Sequence, residues 1–288
     1  MNVLANDGIS NEGVLKLKSA GFNVSIESIN QDEIIKHINS NKIEVLLVRS
    51  ATKVRKELID KCPGIKIIGR GGVGMDNIDV EYAKEKNIHV INTPAASSIS
   101  VAELVFAHLF SCVRKLYQSN RNMPLDGDSQ FKSLKKSYAG GSELKGKTLG
   151  IVGFGNIGQR VAEIASVIGM KIITNSASAS DEILSKFNAS KVLTDELIST
   201  SDVISLHTKL NDETKNMFNA TSLKSMKPSS VLINCARGGL INEADLKVAL
   251  DNDVIAAAAV DVYETEPATN SPLFNAKNLL LTPHLGAS

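Results

Sequence analysis

The 288-residue chain sets 32 Lys and Arg against 31 Asp and Glu, a net charge of +1, with 43% hydrophobic and 22% charged residues. That balance fits an ordinary globular protein of about two domains and gives no ground for a nucleic-acid partner or an anionic membrane. No apolar run approaches the roughly 20 residues that cross a bilayer, and the start, Met1-Asn-Val-Leu-Ala-Asn-Asp, is too short and polar for a signal peptide. The three cysteines, Cys62, Cys112 and Cys235, are far apart and odd in number. They suggest neither a disulfide framework nor a metal site, so reduced thiols in a cytoplasmic protein are expected.

The first ninety residues alternate strand and helix patterns. Strands are expected at 3–5, 22–26, 45–48, 65–68 and 89–92, and helices at 11–20, 32–39, 56–61 and 80–86. Such alternation implies a parallel sheet with helices on both faces. Thr93-Pro94-Ala95-Ala96-Ser97 breaks the pattern and reads as a domain boundary or hinge, since Pro94 restrains Thr93 to extended backbone. The helix expected after it, from Val101 to about Leu116, carries Ala102, Val105, Leu109 and Val113 on one face. Tyr117 to Gly141 is polar and reads as a loop or arm. A second series follows, with strands at 148–152, 170–174, 192–193, 203–206, 230–234, 256–262 and 279–281.

The densest signal lies at the head of that second series. The apolar run Thr148–Val152 turns at Gly153-Phe-Gly155-Asn156-Ile157-Gly158 and continues with Val161, Ile164 and Ala165 at helical spacing. Strand, glycine turn and helix together make G-x-G-x-x-G a dinucleotide fingerprint rather than a chance match. Gly153 permits the tight turn, Gly155 lets backbone approach a pyrophosphate, and Gly158 lets helix and strand pack closely. The helix N-terminus then offers its amides to the phosphates.

Parallel sheets place ligands at the carboxyl ends of their strands. Three such ends carry Arg237, Glu266 and His284. Alone, each would most simply be a surface or turn residue. Together, downstream of a dinucleotide fingerprint, they compose a hydride-transfer site: a His for proton transfer, a carboxylate to orient it, and an Arg to clamp a substrate carboxylate.

Gly153-x-Gly155-x-x-Gly158, Asn234-x-Ala236-Arg237-Gly238-Gly239, Asp261-Val262-Tyr263-x-x-Glu266-Pro267 and Thr282-Pro283-His284 resemble the signature series of the D-isomer-specific 2-hydroxyacid dehydrogenases. Leu47-Val48-Arg49-Ser50-Ala51-Thr52-Lys53, Gly69-Arg70-Gly71-Gly72-Val73-Gly74-Met75-Asp76-Asn77 and Glu143-Leu-Lys-Gly146-Lys147 resemble, more narrowly, the D-3-phosphoglycerate dehydrogenase subgroup. The resemblance implies an α/β protein of two doubly wound parallel-sheet domains. One is a flavodoxin-like substrate domain at 1–93 plus 282–288, and the other a Rossmann-like domain at 94–281 inserted in it. It implies closure about hinges near Pro94 and Pro283, and a homodimer built through residues 97–140. It places catalysis on Arg237, Glu266 and His284, and cofactor contacts on Val73, Gly153, Gly155, Asn156, Ile157, Gly158, Ser176, His207, Thr208, Cys235, Ala236, Asp261 and Gly286. Arg49, Ser50, Arg70, Gly71, Gly72 and Lys136 fall where the subgroup holds substrate carboxylate and phosphate. The implied activity is NAD-dependent oxidation of D-3-phosphoglycerate. A glyoxylate or hydroxypyruvate reductase is the neighbouring alternative, and an NAD(H)-sensing binding protein the alternative of another class.

Three departures qualify the resemblance. The acidic residue that normally ends the second strand and binds the adenine ribose falls on Ser176. NAD with weakened discrimination against NADP is therefore expected. The subgroup's tryptophan in the arm falls on Leu134, which puts the role of Lys136 toward a neighbouring subunit in question. The chain as read ends at Ser288, within the family's last helix, and a C-terminal regulatory domain is not expected.

Overall fold

The computed structural model describes residues 1–287; Ser288 lies outside the described residues. The chain divides into two compact units, the first ending at Ser97 and the second beginning at Ser98.

The first unit runs β1 (Asn2–Ala5), α1 (Asn11–Ser19), β2 (Asn23–Ser25), α2 (Ile34–Ser40), β3 (Val45–Val48), α3 (Lys56–Lys61), β4 (Ile67–Arg70), α4 (Val80–Glu85) and β5 (His89–Asn92). The strands form one parallel sheet in the order β2-β1-β3-β4-β5. Strand order reverses between β1 and β3, so a crevice opens at their carboxyl ends. Central strands covered on both faces read as continuous apolar runs, as Val45–Val48 does, and Leu4, Leu46 and Ile68 are fully buried with Ile34 and Ile38 of α2 against them. α1 begins where the Ser10 side chain accepts the Gly13 N–H.

The second unit runs α5 (Ser98–Val113), α6 (Leu116–Ser137), β6 (Thr148–Val152), α7 (Asn156–Ile168), β7 (Lys171–Asn175), α8 (Asp181–Lys186), β8 (Ala189–Lys191), α9 (Thr194–Thr200), β9 (Val203–Leu206), α10 (Ala220–Ser225), β10 (Val231–Asn234), α11 (Glu243–Asp251), β11 (Ala257–Val260) and β12 (Leu279–Leu281). Its seven parallel strands lie in the order β12-β11-β10-β9-β6-β7-β8. This is the doubly wound nucleotide-binding order with one strand added, and the reversal falls between β6 and β9. α5 buries Val101, Ala102, Val105 and Leu109 against α7 and the sheet. The small residues of β11 let it approach that closely.

Three expectations are revised. The stretch read as a loop or arm is the 22-residue helix α6. It buries none of its residues and kinks at Gln130, and its polar composition with Pro124 and Gly127 inside reads as loop in sequence. The strand expected at Val192-Leu193 lies at Ala189–Lys191, because Leu193 already serves as the N-cap of α9. Residues 282–287, assigned to the first domain from the resemblance, are held to the second unit by Asp261. Its backbone carbonyl takes the His284 N–H (2.9 Å), and its carboxylate takes those of Leu285 (2.7 Å) and Gly286 (2.9 Å).

Candidate active site

The glycine turn after β6 is built as its chemistry requires. Gly153 has φ +90°, and a Cβ there would lie 2.6 Å from the carbonyl oxygen of His207. Its N–H donates to the Asn175 carbonyl at the end of β7 (2.9 Å), so the turn is wedged between the ends of β7 and β9. A Cβ on Gly158 would lie 2.3 Å from the Gly153 oxygen, so α7 packs at a distance only glycine allows. Gly155 is the N-cap of α7 and supplies no side-chain cap, and open space surrounds its Cβ position. The first turn of α7 thus receives no capping side chain from Gly155 and stands beside a cleared surface, which fits a pyrophosphate.

Around the turn stand the other residues assigned to the cofactor. Ser176 follows β7 and is 7% exposed. The two polar residues before it are committed to the fold: Thr174 Oγ1 donates to the Ile151 carbonyl (2.7 Å) and Asn175 Nδ2 to that of Val192 (3.1 Å). His207 ends β9 with Nε2 2.8 Å from Ser205 Oγ, while its Nδ1 is buried with no partner among the described residues. Burial pushes this imidazole down to about 3, so the ring is neutral at any working pH. Thr208 follows it, half-buried. Cys235 and Ala236 are buried after β10, and burial together with nearby Asp261 pushes the Cys235 thiol up, which makes it inert.

Arg237, Glu266 and His284 follow β10, β11 and β12, three adjacent strands, and so rise from one edge of the same sheet end. His284 Nδ1 lies 2.8 Å from Glu266 Oε2, and both side chains are partly exposed. Glu266 is in turn held by the Tyr263 N–H at Oε1 (3.1 Å). With the carboxylate ionised, Nδ1 carries the proton and Nε2 is left for a substrate. His284 sits at φ +55°, a left-handed backbone that a non-glycine residue adopts at a cost of roughly 1–3 kcal/mol. Asp261 maintains it from both sides, since its Oδ1 also accepts the hydroxyl of Thr282 (2.6 Å), which lies 3.2 Å from Nε2 of buried His108. Asp261, read from sequence as a cofactor contact, is here the anchor of the histidine loop. The Arg237 loop is fixed by Asn234, whose side chain accepts the Ala236 N–H (3.0 Å) and donates to the Arg237 carbonyl (2.8 Å). Gly238 must be glycine, because a Cβ would lie 1.8 Å from the Tyr263 oxygen.

Residues 106–286 match the model of the D-isomer specific 2-hydroxyacid dehydrogenase NAD-binding domain. The chain belongs to this dehydrogenase family. It is 38% identical over 286 residues to D-3-phosphoglycerate dehydrogenase of Bacillus subtilis, covering 99% of this chain and 53% of that protein. It is 40% identical over 290 residues to hydroxypyruvate reductase of Thermotoga maritima, covering 99% and 91%. An acyclic imino acid reductase solved with NADPH and D-Arg superposes with a TM-score of 0.85 at 31% identity, over 100% of this chain and 91% of that one. The chain spans about half the length of the phosphoglycerate dehydrogenases it matches.

In the first unit, Arg49, Arg70 and Gly71, assigned to substrate, gather at the carboxyl ends of the five-stranded sheet. A cavity of about 550 Å³ there is lined by Arg49 after β3, Arg70 and Gly71 at the end of β4, and Asn92 and Thr93 after β5. Gly72, at φ +146°, lies under the Arg70 guanidinium, where a Cβ would fall 1.7 Å from Nη1. Its N–H donates to Thr93 Oγ1 (2.8 Å). Ser50 is exposed, and Val73 is tied through its carbonyl to Asn92 Nδ2 (2.8 Å). Lys136 lies on exposed α6, apart from the other substrate residues in sequence and element. Among the described residues no cluster of His, Cys, Asp and Glu could hold a metal ion, and no helix is long and apolar enough to cross a membrane. Sequence reading missed Thr282 and His108 as supports of the histidine loop. Both are polar residues in apolar surroundings, and His108 lay hidden within the apolar pattern of α5.

Proposed function

We propose that the chain catalyses reversible, NAD-dependent oxidation of a phosphorylated D-2-hydroxy acid, D-3-phosphoglycerate to 3-phosphohydroxypyruvate, the first step of serine synthesis. The observation that carries this reading is the pair Arg49 and Arg70 in one cavity, because two guanidinium groups suit a doubly charged phosphate and exceed what a small monoacid needs. His284 takes the hydroxyl proton at Nε2. Glu266 holds the ring at Nδ1 and keeps it in the tautomer that leaves Nε2 open. Arg237 binds the substrate carboxylate and stabilises charge on the adjacent oxygen. A dinucleotide would be held through its pyrophosphate at the glycine turn Gly153–Gly158 and the start of α7, and its nicotinamide would supply the hydride acceptor. A homodimer fits the exposed apolar residues of α6, Leu116, Tyr117, Met123, Leu125 and Phe131, and the free Cys62, Cys112 and Cys235 suit a cytoplasmic location.

Hydroxypyruvate or glyoxylate reduction is the second reading, favoured by the likeness to the hydroxypyruvate reductase over nearly its whole length. Steady-state kinetics with phosphohydroxypyruvate against hydroxypyruvate decide between them, and equal kcat/KM for the two would favour the second. His284→Ala is expected to lower kcat by about 10² or more while NADH still binds. Near-normal turnover in that variant removes His284 from the mechanism.

A further inference from the structure

Glu266 is carried on an exposed segment. Between buried Val262 and buried Leu273 the chain leaves the core, and Glu264, Thr265, Glu266, Pro267, Thr269 and Asn270 are all exposed. A stretch that buries so little has scant packing to fix its course and opens at small cost. Apart from the Glu266–His284 contact, the hydrogen bonds that tie residues 264–271 to sequence-distant chain, among the described residues, end on one side chain. Glu243 accepts the Glu264 N–H at Oε1 (2.8 Å) and the Ser271 hydroxyl at Oε2 (2.8 Å). It therefore grips the segment on both sides of Glu266. Ser271 in turn accepts the Leu273 N–H (3.3 Å), where the chain is buried again.

The grip comes from a fixed base. Glu243 opens α11, whose N-cap Asn242 side chain accepts the Asp245 N–H (3.0 Å) and whose Leu246, Ala249 and Leu250 are buried. The Tyr263 hydroxyl also donates to the Thr282 carbonyl (2.9 Å), which joins the root of the segment to the histidine loop. One side of the Glu266–His284 contact is thus built on Asp261 and the other on Glu243. A displacement of about 1 Å is enough to cost a reacting group up to about 10² in rate. We propose that Glu243 is a positioning residue for proton transfer, holding Glu266 where its Oε2 meets Nδ1 of His284, with no hydrogen bond to either. This rests on the reading of His284 as the acid–base group. A negative charge in the first turn of a helix is itself favourable, so charge and reach must be separated. Glu243→Asp keeps the charge and loses the reach, and Glu243→Gln does the reverse.

The test uses the full chain with Glu243→Ala, Glu243→Asp and Glu243→Gln, and whichever of phosphohydroxypyruvate or hydroxypyruvate the parent turns over. Glu243→Ala is expected to lower kcat about tenfold or more, with the KM for NADH within about twofold. Glu243→Gln keeps an acceptor for the Glu264 N–H and a donor toward Ser271, so its kcat should stay within about threefold of the parent value. Glu243→Asp, one methylene shorter, should lose kcat like Glu243→Ala, and carries the test if the alanine variant does not fold. Near-parental kcat in Glu243→Ala overturns the proposal. So does near-parental kcat in Glu243→Asp with loss in Glu243→Gln, which assigns the effect to charge. A cycle with Glu266→Gln shows whether Glu243 acts through Glu266. In that background Glu243→Ala should cost less than about twofold, whereas about tenfold in both backgrounds shows only a fold role and overturns the proposal. If the parent turns over neither acid, or His284→Ala turns over normally, the acid–base reading fails and not the brace. The brace is then judged by hydrogen exchange at the Tyr263 and Glu264 amides, whose acceptors are Glu266 and Glu243. Exchange about tenfold faster there in Glu243→Ala, with the strands of the same unit unchanged, supports it. Unchanged exchange overturns it.

Discussion

Ser176 and His207 flank the glycine turn and act on opposite sides of one question, what the site asks of its ligand and of the solvent. At Ser176 no carboxylate is present to repel a 2′-phosphate, and Thr174 and Asn175 before it are spent on backbone carbonyls. NADPH should therefore support turnover within about tenfold of NADH, some 1.4 kcal/mol. Kinetics with both cofactors at equal concentration check this, and a larger preference in either direction refutes it. His207 is held neutral by burial, with a folded value of about 3 against an ordinary 6.5. Between those values the unfolded chain binds a proton that the folded chain refuses, so stability must fall as pH falls through that window. Thermal unfolding from pH 7 to pH 4 should show a loss of up to a few kcal/mol, and His207→Gln should flatten the curve. The residues assigned to chemistry could be picked from sequence because each follows an apolar strand run, where a charged residue stands out. Thr282 and His108 were not, because hydrogen bonds between residues far apart in sequence leave no periodic trace.

At the scale of elements, the strand–turn–helix unit of β6 and α7 separates two roles of glycine. Gly158→Ala would place a methyl 2.3 Å from the Gly153 carbonyl. α7 must then move off β6, costing about 1–3 kcal/mol, and dinucleotide binding should fail with it. Gly155→Ala meets nothing within 4 Å, so the fold should be unchanged while the added methyl occupies the space a pyrophosphate needs. Melting temperature and NADH fluorescence titration together separate these cases, and a destabilised Gly155→Ala would contradict this assignment. Most strands were readable because parallel strands buried on both faces are continuous apolar runs. α6 was not, because it is mostly polar and carries Pro124 and Gly127, residues that read as loop. Leu279–Leu281 was readable as a strand, but where the chain goes next was not. Its course is set by the Asp261 carboxylate gripping Thr282, Leu285 and Gly286, a feature of three-dimensional contact rather than pattern.

Taken as a whole, the molecule divides its labour between two parallel-sheet units. The first gathers Arg49 and Arg70 at its strand ends, and the second gathers the glycine turn and the histidine–glutamate pair at its own. In the second unit the glycine turn and His207 lie at the reversal of strand order between β6 and β9, while Arg237, Glu266 and His284 follow the outer strands β10, β11 and β12. The charge of the chain is balanced overall, and the cationic groups that matter are placed rather than numerous.

Among the described residues α6 is a long helix that buries none of its residues. Arg121, Lys132, Lys135 and Lys136 lie along it with their backbone held only by the helix itself, so local opening there costs less than opening anywhere in the sheets. Brief trypsin digestion should cut first within this helix, leaving two large fragments separable by mass. If the exposed Leu125 and Phe131 are covered by a second copy, the same cut should slow as protein concentration rises. The helix would then serve as an internal gauge of assembly, read from a protease time course with no label attached.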